Sequence, residues 1–314
     1  MENKLNLPLK KKKNEAESPR LDPLMRALKA LHSAGAPETM TEEELEHQRR
    51  SQVVLGRLTA LMAGMDYEEF SLGGMNAAWM RLKAPHGSRH AILYCHGGGY
   101  TSGNLGYARV LASKLAHVTG YDVLSFEYRL APEHPYPAAV EDALRAWDHL
   151  MLLGYGARDV VLAGDSAGGN LALVLCHRLK AAGRRLPGAL VLMSPWTDMT
   201  MSGASYAERA ESDPMLTPEY IEAVRTAYAG GRDYASPDLS PLFADLTGFP
   251  PTLIQAGDHE ILYSDAEMLC HALERAGVPC RFEVSEGMWH VFQMFPLRKA
   301  AAAMESVARF LLER

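Results

Sequence analysis

Apolar runs of strand length recur from residue 91 onward, most of them followed by a helical pattern. The runs occupy 91–95, 123–128, 160–163, 190–193, 252–255 and 281–284. The helical stretches are 108–118, 137–152, 167–182 and 264–276, with a last one near 298–312. Strands that are apolar on both faces and alternate with helices predict an α/β fold, its mostly parallel central sheet flanked by helices. Ahead of this block, 67–72 and 76–82 read as two short strands around Gly73-Gly74, the pattern of a hairpin. Residues 21–64 read as helical, because Leu24, Leu28 and Leu31 recur at helical spacing and Thr41-x-x-Glu44 has the form of a capping box.

One stretch breaks the alternation. Between Trp196 and Pro250 no core strand is apparent, and Gly, Pro and acidic residues are scattered through it. The expected organisation is a tail and cap helices over 1–65, a catalytic domain over 66–197 and 246–314, and a cap insertion over 198–245. Ligands of open α/β sheets bind beyond the carboxyl ends of the strands, and a cap there would wall a pocket.

Composition narrows the class. The 314 residues are 47% hydrophobic, enough for one large core plus a small accessory part. A net charge of −6 gives no reason to expect a nucleic-acid partner. No apolar run approaches the roughly 18–20 residues that span a bilayer. The basic run Lys10 to Lys13 precedes no apolar stretch and no small-residue cleavage site, unlike a secretory signal. Cys95, Cys176, Cys270 and Cys280 show no C-x-x-C pairing and no clustering with histidines. They read as buried reduced thiols, with the cytoplasm as the default compartment.

The strongest chemical signal is Gly164-Asp165-Ser166-Ala167-Gly168, set directly after the apolar run at 160–163 and directly before an Ala- and Leu-rich helix. G-x-S-x-G alone is a weak pattern; a glycine-rich helix start with an ordinary serine produces it too. The strand–turn–helix context changes that. A turn tight enough to lift a serine hydroxyl above a sheet leaves no room for side chains two residues either side. The helix start at Ala167 also directs its positive end toward negative charge developing near Ser166. Ser166 is the candidate nucleophile.

Upstream, a predicted strand ends in Cys95-His96-Gly97-Gly98-Gly99-Tyr100. Successive glycines leave backbone amides unshielded, as stabilisation of a tetrahedral oxyanion requires. Gly98 and Gly99, with Ala167 from the turn, are the candidate oxyanion-hole donors, and Gly97 serves the turn. A phosphate loop would want a Lys-Ser/Thr pair soon after, and none follows.

Downstream of Ser166 lie His177, His259, His271 and His290. The chain order expected of such a site is serine, acid, histidine. His177 and His271 fall within helical patterns, whereas His290 sits in a loop between the last strand and last helix and is the candidate general base. The acid should follow the preceding strand. There Asp258 and Glu260 both lie in the loop, while Asp265 reads as a helix-start acid. Either carboxylate can hold an imidazole in one tautomer, and residue physics leaves the choice open.

Together these segments resemble the hormone-sensitive-lipase-type esterases of the α/β-hydrolase superfamily. The match is carried by His96–Gly99, by 128–135 (Tyr-Arg-Leu-Ala-Pro-Glu-His-Pro), by 164–170, by 287–292, and by Ser194-Pro-Trp196-Thr-Asp198. It implies a capped α/β-hydrolase, free of metal and cofactor, that cleaves short-chain acyl esters through an acyl-enzyme. Members often place an Asp two residues before a Leu in the acid loop. Glu260 holds that position before Leu262, so the resemblance favours Glu260 over Asp258. It also makes Arg129, Glu133 and His134 architectural supports of the oxyanion loop, and Asp165 a support of the turn. Trp196 and Met215 are candidates for the pocket wall as much as for cap-to-core packing.

The expected partner is a small-molecule ester, and an open sheet edge would permit a homo-oligomer. Three other readings share the fold: a lactone hydrolase with the same triad, a non-catalytic ligand-binding protein and, more weakly, a peptidase. The presence of His290 argues against the second.

Overall fold

The structure is a computed structural model. It describes residues 25, 41–46, 48–50, 64–83 and 89–313. The readings at 21–24, 26–40, 47 and 51–63 therefore lie outside the described residues. Thr41 and Glu44 do form the expected capping box, with Thr41 N–H donating to Glu44 Oε2 (3.0 Å) and Glu44 N–H to Thr41 Oγ1 (3.3 Å).

The described residues build an eight-stranded sheet. Its strands are β1 (Met65–Leu72), β2 (Met75–Leu82), β3 (Ala91–Cys95), β4 (Asp122–Phe126), β5 (Val160–Asp165), β6 (Ala189–Met193), β7 (Thr252–Gly257) and β8 (Cys280–Ser285). Their spatial order is β1-β2-β4-β3-β5-β6-β7-β8, with β1–β2 and β2–β4 antiparallel and the remaining pairs parallel. The β1–β2 hairpin closes at Gly73 and Gly74, both at positive φ (58° and 89°), as a two-residue turn between right-twisted strands demands.

Among the described residues the helices that accompany the strands from residue 91 onward are α1 (Leu105–Thr119), α2 (Ala138–Leu152), α3 (Ala167–Ala181), α4 (Ser205–Glu208), α5 (Pro218–Ala229), α6 (Tyr263–Arg275) and α7 (Arg298–Leu312). Alternation along the strands sorts them onto two faces. Leu93, Cys95, Val160 and Leu162 pack with α2, α3 and α6, whereas Ile92, Tyr94, Val161 and Ala163 pack with α1 and α7. Both faces of the central strands are covered, which is why β3, β5 and β6 are buried along their whole length, whereas the edge strand β8 is only partly buried and carries Arg281 and Glu283. Each buried Leu or Val removed from water contributes roughly 1.5–3 kcal/mol.

Between β6 and β7 the chain forms no strand; it carries α4, α5 and a 3-10 turn at Pro241–Phe243. Tyr220, Val224 and Tyr228 of α5 join the larger core cluster. Trp196 is buried in that cluster and Met215 packs against it, in agreement with the packing alternative.

The cysteine reading needs one correction. Cys270 and Cys280 form a disulfide, while Cys95 and Cys176 are free and buried. The chain turns at Gly277 (φ 73°) straight from α6 into β8. That return brings the two Cα atoms to 5.8 Å, within the span a disulfide bridges. Linear spacing alone did not reveal this, and the thiols no longer speak for a reducing compartment. No helix among the described residues is long and apolar enough to cross a membrane.

Candidate active site

Five strand ends converge on the site. β5 ends at Asp165, Ser166 follows at φ 53° and ψ −123°, and α3 begins at Ala167. A non-glycine residue at this φ is strained, and the surroundings hold it there. Ser166 N–H donates to Met193 O (3.0 Å), and Ser166 O accepts from Trp196 N–H (3.1 Å) and Gly169 N–H (3.0 Å). The two flanking glycines are needed for space. A Cβ on Gly164 would overlap the Gly168 carbonyl, and one on Gly168 the Cys95 carbonyl.

The glycine loop leaves β3 beside this turn. The Gly98 carbonyl accepts from Thr101 N–H (3.1 Å), Ser102 N–H (3.0 Å) and Ser102 Oγ (2.9 Å), which fixes the loop's peptide planes. Gly98 and Gly99 are at φ 113° and 62°. Among the described residues the amides of Gly98, Gly99 and Ala167 make no hydrogen bond, so they remain available to an incoming oxygen.

Asp165 ties loop and turn together. Its buried carboxylate accepts from Gly97 N–H (2.9 Å), the Tyr107 hydroxyl (2.6 Å) and the Tyr94 hydroxyl. Burial raises its pKa. Asn170 makes a second tie: its Oδ1 accepts from the Tyr100 hydroxyl (2.7 Å), while its amide donates to Trp196 O and Leu239 O (both 2.9 Å).

The Tyr128–Pro135 stretch is a scaffold for this loop. The Tyr128 hydroxyl donates to His96 O (2.7 Å) and its ring stacks on the His96 imidazole at 4.1 Å. Burial pushes the His96 pKa down to about 4, which keeps that ring neutral. Arg129 pairs with buried Asp142, and Ala131 N–H reaches Tyr100 O (2.9 Å). Glu133 takes a bidentate pair from Arg49 (2.8 Å each), which lowers its pKa to about 2. Arg49 also donates to Thr101 O (2.9 Å) and Ala131 O (3.1 Å), clasping the glycine loop from the N-terminal segment.

On the far side, the His290 Nδ1 lies 2.8 Å from Glu260 Oε2, both side chains buried. Glu260 Oε1 accepts from Gly257 N–H (2.6 Å) and the Ser194 hydroxyl (3.0 Å). Asp258 points elsewhere: its Oδ1 accepts from Gly287 N–H (2.6 Å) and sits 3.8 Å from His259. Asp265 stands in the first turn of α6, but its carboxylate takes the amides of Thr197 (2.8 Å) and Asp198 (2.9 Å). His177 lies within α3, 3.9 Å from Asp238, and exposed His271 pairs with Glu274 on α6.

Residue reasoning missed Ser194. Its hydroxyl donates to Glu260 and accepts from Val291 N–H (3.0 Å), joining Glu260 to the loop that carries His290, from a backbone at φ 48°. The only linear signal was a Ser-Pro just past an apolar strand. Among the described residues no group of three or more His, Cys, Asp or Glu side chains is arranged to hold a metal ion.

Residues 92–294 match a family model described as the alpha/beta hydrolase fold. The chain is 39% identical over 243 residues to an acetyl-hydrolase of Streptomyces hygroscopicus, covering 77% of this chain and 81% of that protein. It is 37% identical over 232 residues to an esterase of Acinetobacter venetianus, covering 73% and 77%. The crystal structure of an esterase from the bacterial hormone-sensitive lipase family superimposes with a TM-score of 0.86 at 35% identity, over 95% of this chain and 99% of that one. The chain thus belongs to the α/β-hydrolase-fold family, among its hormone-sensitive-lipase-type esterases, and is a carboxylic ester hydrolase.

Proposed function

We propose that the protein hydrolyses short-chain acyl esters by a serine mechanism with Ser166 as nucleophile, His290 as general base and Glu260 as the acid. The observation that carries this reading is the buried Glu260–His290 pair, which stands with the strained Ser166 in the order serine, acid, histidine. With its Nδ1 side held by Glu260, His290 has Nε2 left to act on the serine in this reading. The imidazole takes the Ser166 proton as the oxygen attacks the ester carbonyl. The amides of Gly98, Gly99 and Ala167 stabilise the resulting oxyanion. His290 then protonates the leaving alcohol and activates water against the acyl-enzyme. Residues 198–245, with α5 among them, serve as the cap that walls the ester site.

Ser166→Ala should abolish hydrolysis of p-nitrophenyl acetate while leaving the fold intact; turnover close to wild type would defeat the assignment. Glu260→Gln should lower turnover far more than Asp258→Asn, since Asp258 holds a loop amide and not the imidazole. Rates across esters of graded acyl length, with a few lactones alongside, test the short-chain preference.

A further inference from the structure

Asp213 lies in the segment between α4 and α5, carries no part of the triad, and is almost wholly buried. Its Oδ1 accepts from Met215 N–H (2.8 Å) and Leu216 N–H (3.0 Å), which closes a local turn. Its Oδ2 does something different: it accepts from Ile261 N–H at 2.8 Å, across 48 positions of sequence. Ile261 is the residue directly after Glu260. The same peptide is held from its other side, because the Ser205 hydroxyl donates to Ile261 O at 2.5 Å. Ser205 and Ser264 then clasp each other, Ser205 N–H to Ser264 Oγ (3.0 Å) and Ser264 N–H to Ser205 Oγ (2.9 Å). The segment at 205–213 thus grips the acid loop at both polar groups of one residue.

A buried carboxylate needs partners, and three backbone amides provide them here. An apolar contact would have closed this interface with less desolvation. We infer that Asp213 is a positioning residue for the esterase reaction: through Ile261 it sets the Glu260 carboxylate against His290, and its own negative charge favours the imidazolium formed during turnover. The inference rests on the triad reading given above.

The charges around it are consistent with this role. Across the interface stand Glu260 and His290, and a positive charge on His290 acts favourably on Asp213. On its own segment, Arg209 has its guanidinium 3.6 Å from the Tyr263 ring centroid. Asp265 on α6 is engaged with Thr197 and Asp198, and Asp165, whose pKa burial raises, also interacts with His290. Burial raises the Asp213 pKa to about 6, so the anion predominates at neutral pH.

The test is Asp213→Asn assayed on p-nitrophenyl acetate, with rates normalised to the fraction of Ser166 labelled by a fluorophosphonate. An amide has one acceptor oxygen, so it serves the Met215–Leu216 turn or Ile261, but not both. Displacing a catalytic group by an ångström can lower turnover by about a hundredfold. We expect kcat to fall about tenfold or more with KM within about twofold. The acidic limb of the kcat/KM profile should move to lower pH, because removing an anion favours neutral His290. Ser205→Ala, which alters no charge, should lower kcat at least about threefold and leave that limb in place. A folded Asp213→Asn enzyme with wild-type kcat or an unmoved acidic limb overturns the inference. If that variant does not fold, Ser205→Ala decides: reduced kcat at constant KM supports the grip, unchanged kcat overturns it. Failure of wild-type Ser166 to label would instead defeat the triad reading itself.

Discussion

The Ser194 hydroxyl donates to Glu260 Oε1 at 3.0 Å and accepts from Val291 N–H at the same distance, so one buried serine spans Glu260 and the residue after His290. Ser194→Ala leaves Glu260 Oε1 with the Gly257 amide alone and strands the Val291 N–H. Leaving a buried donor unsatisfied costs about 1–3 kcal/mol. We expect a thermal midpoint lowered by several degrees and turnover reduced about tenfold, read by calorimetry and by ester hydrolysis on the same preparation.

Asp165 makes a different prediction for each replacement. Its carboxylate holds Gly97 N–H and two tyrosine hydroxyls. Asparagine keeps an oxygen for Gly97 and can donate to the Tyr107 hydroxyl, so the loop should stay in place with modest loss of activity. Alanine removes all three bonds and should destabilise the fold by about 3–5 kcal/mol. Equal denaturation midpoints for the two variants would contradict this account.

Asp265 governs a stability change with pH. Burial raises its pKa from 3.8 to about 8, so the folded protein keeps a proton that the unfolded chain releases above pH 3.8. The folded state therefore binds more protons, and this group's contribution is fully present below about pH 4 and lost as pH rises toward 8. The slope is at most about −1.4 kcal/mol per pH unit. Asp265→Asn should flatten that fall between pH 4 and 8 in urea unfolding, because asparagine has no proton to release.

Gly168→Ala tests the packing of the turn. The new methyl would meet the carbonyl oxygens of both Cys95 and His96, which are backbone atoms and cannot swing aside. We expect the fold to lose more than about 3 kcal/mol, seen as a failure to accumulate soluble protein or a much lower midpoint. Alanine at Gly74, which has nothing within 4 Å of its Cβ position, should cost about 1 kcal/mol from its positive φ alone.

The Cys270–Cys280 disulfide lends itself to the same kind of measurement. Cys270 and Cys280 close a short loop between α6 and β8. Reduction should lower stability by about 2–4 kcal/mol while Ser166, on a different strand, still labels.

Much of the fold was legible because each element carried its own period. The 91–95 and 298–312 readings coincide with β3 and α7, since alternation and helical spacing are local properties that burial on two faces reinforces. Ser166 and the triple glycine were legible for a related reason: tight turns admit few residue types. The pairing of Cys270 with Cys280 and the contacts of Ser194 and Asp213 were not legible, and residue physics left Glu260 and Asp258 open until the family resemblance favoured Glu260 as the neighbour of His290. Each depends on where a side chain points after distant loops have met. Asp258 and Glu260 are two residues apart and chemically alike, yet one faces Gly287 N–H and the other the imidazole. By itself, the sequence determined the strands, the helices and the tight turn at Ser166, because local sterics and hydrophobic periodicity act over a few residues. The tertiary structure alone decided which buried polar groups face each other, because a carboxylate's partner is set by packing across the sheet's carboxyl edge.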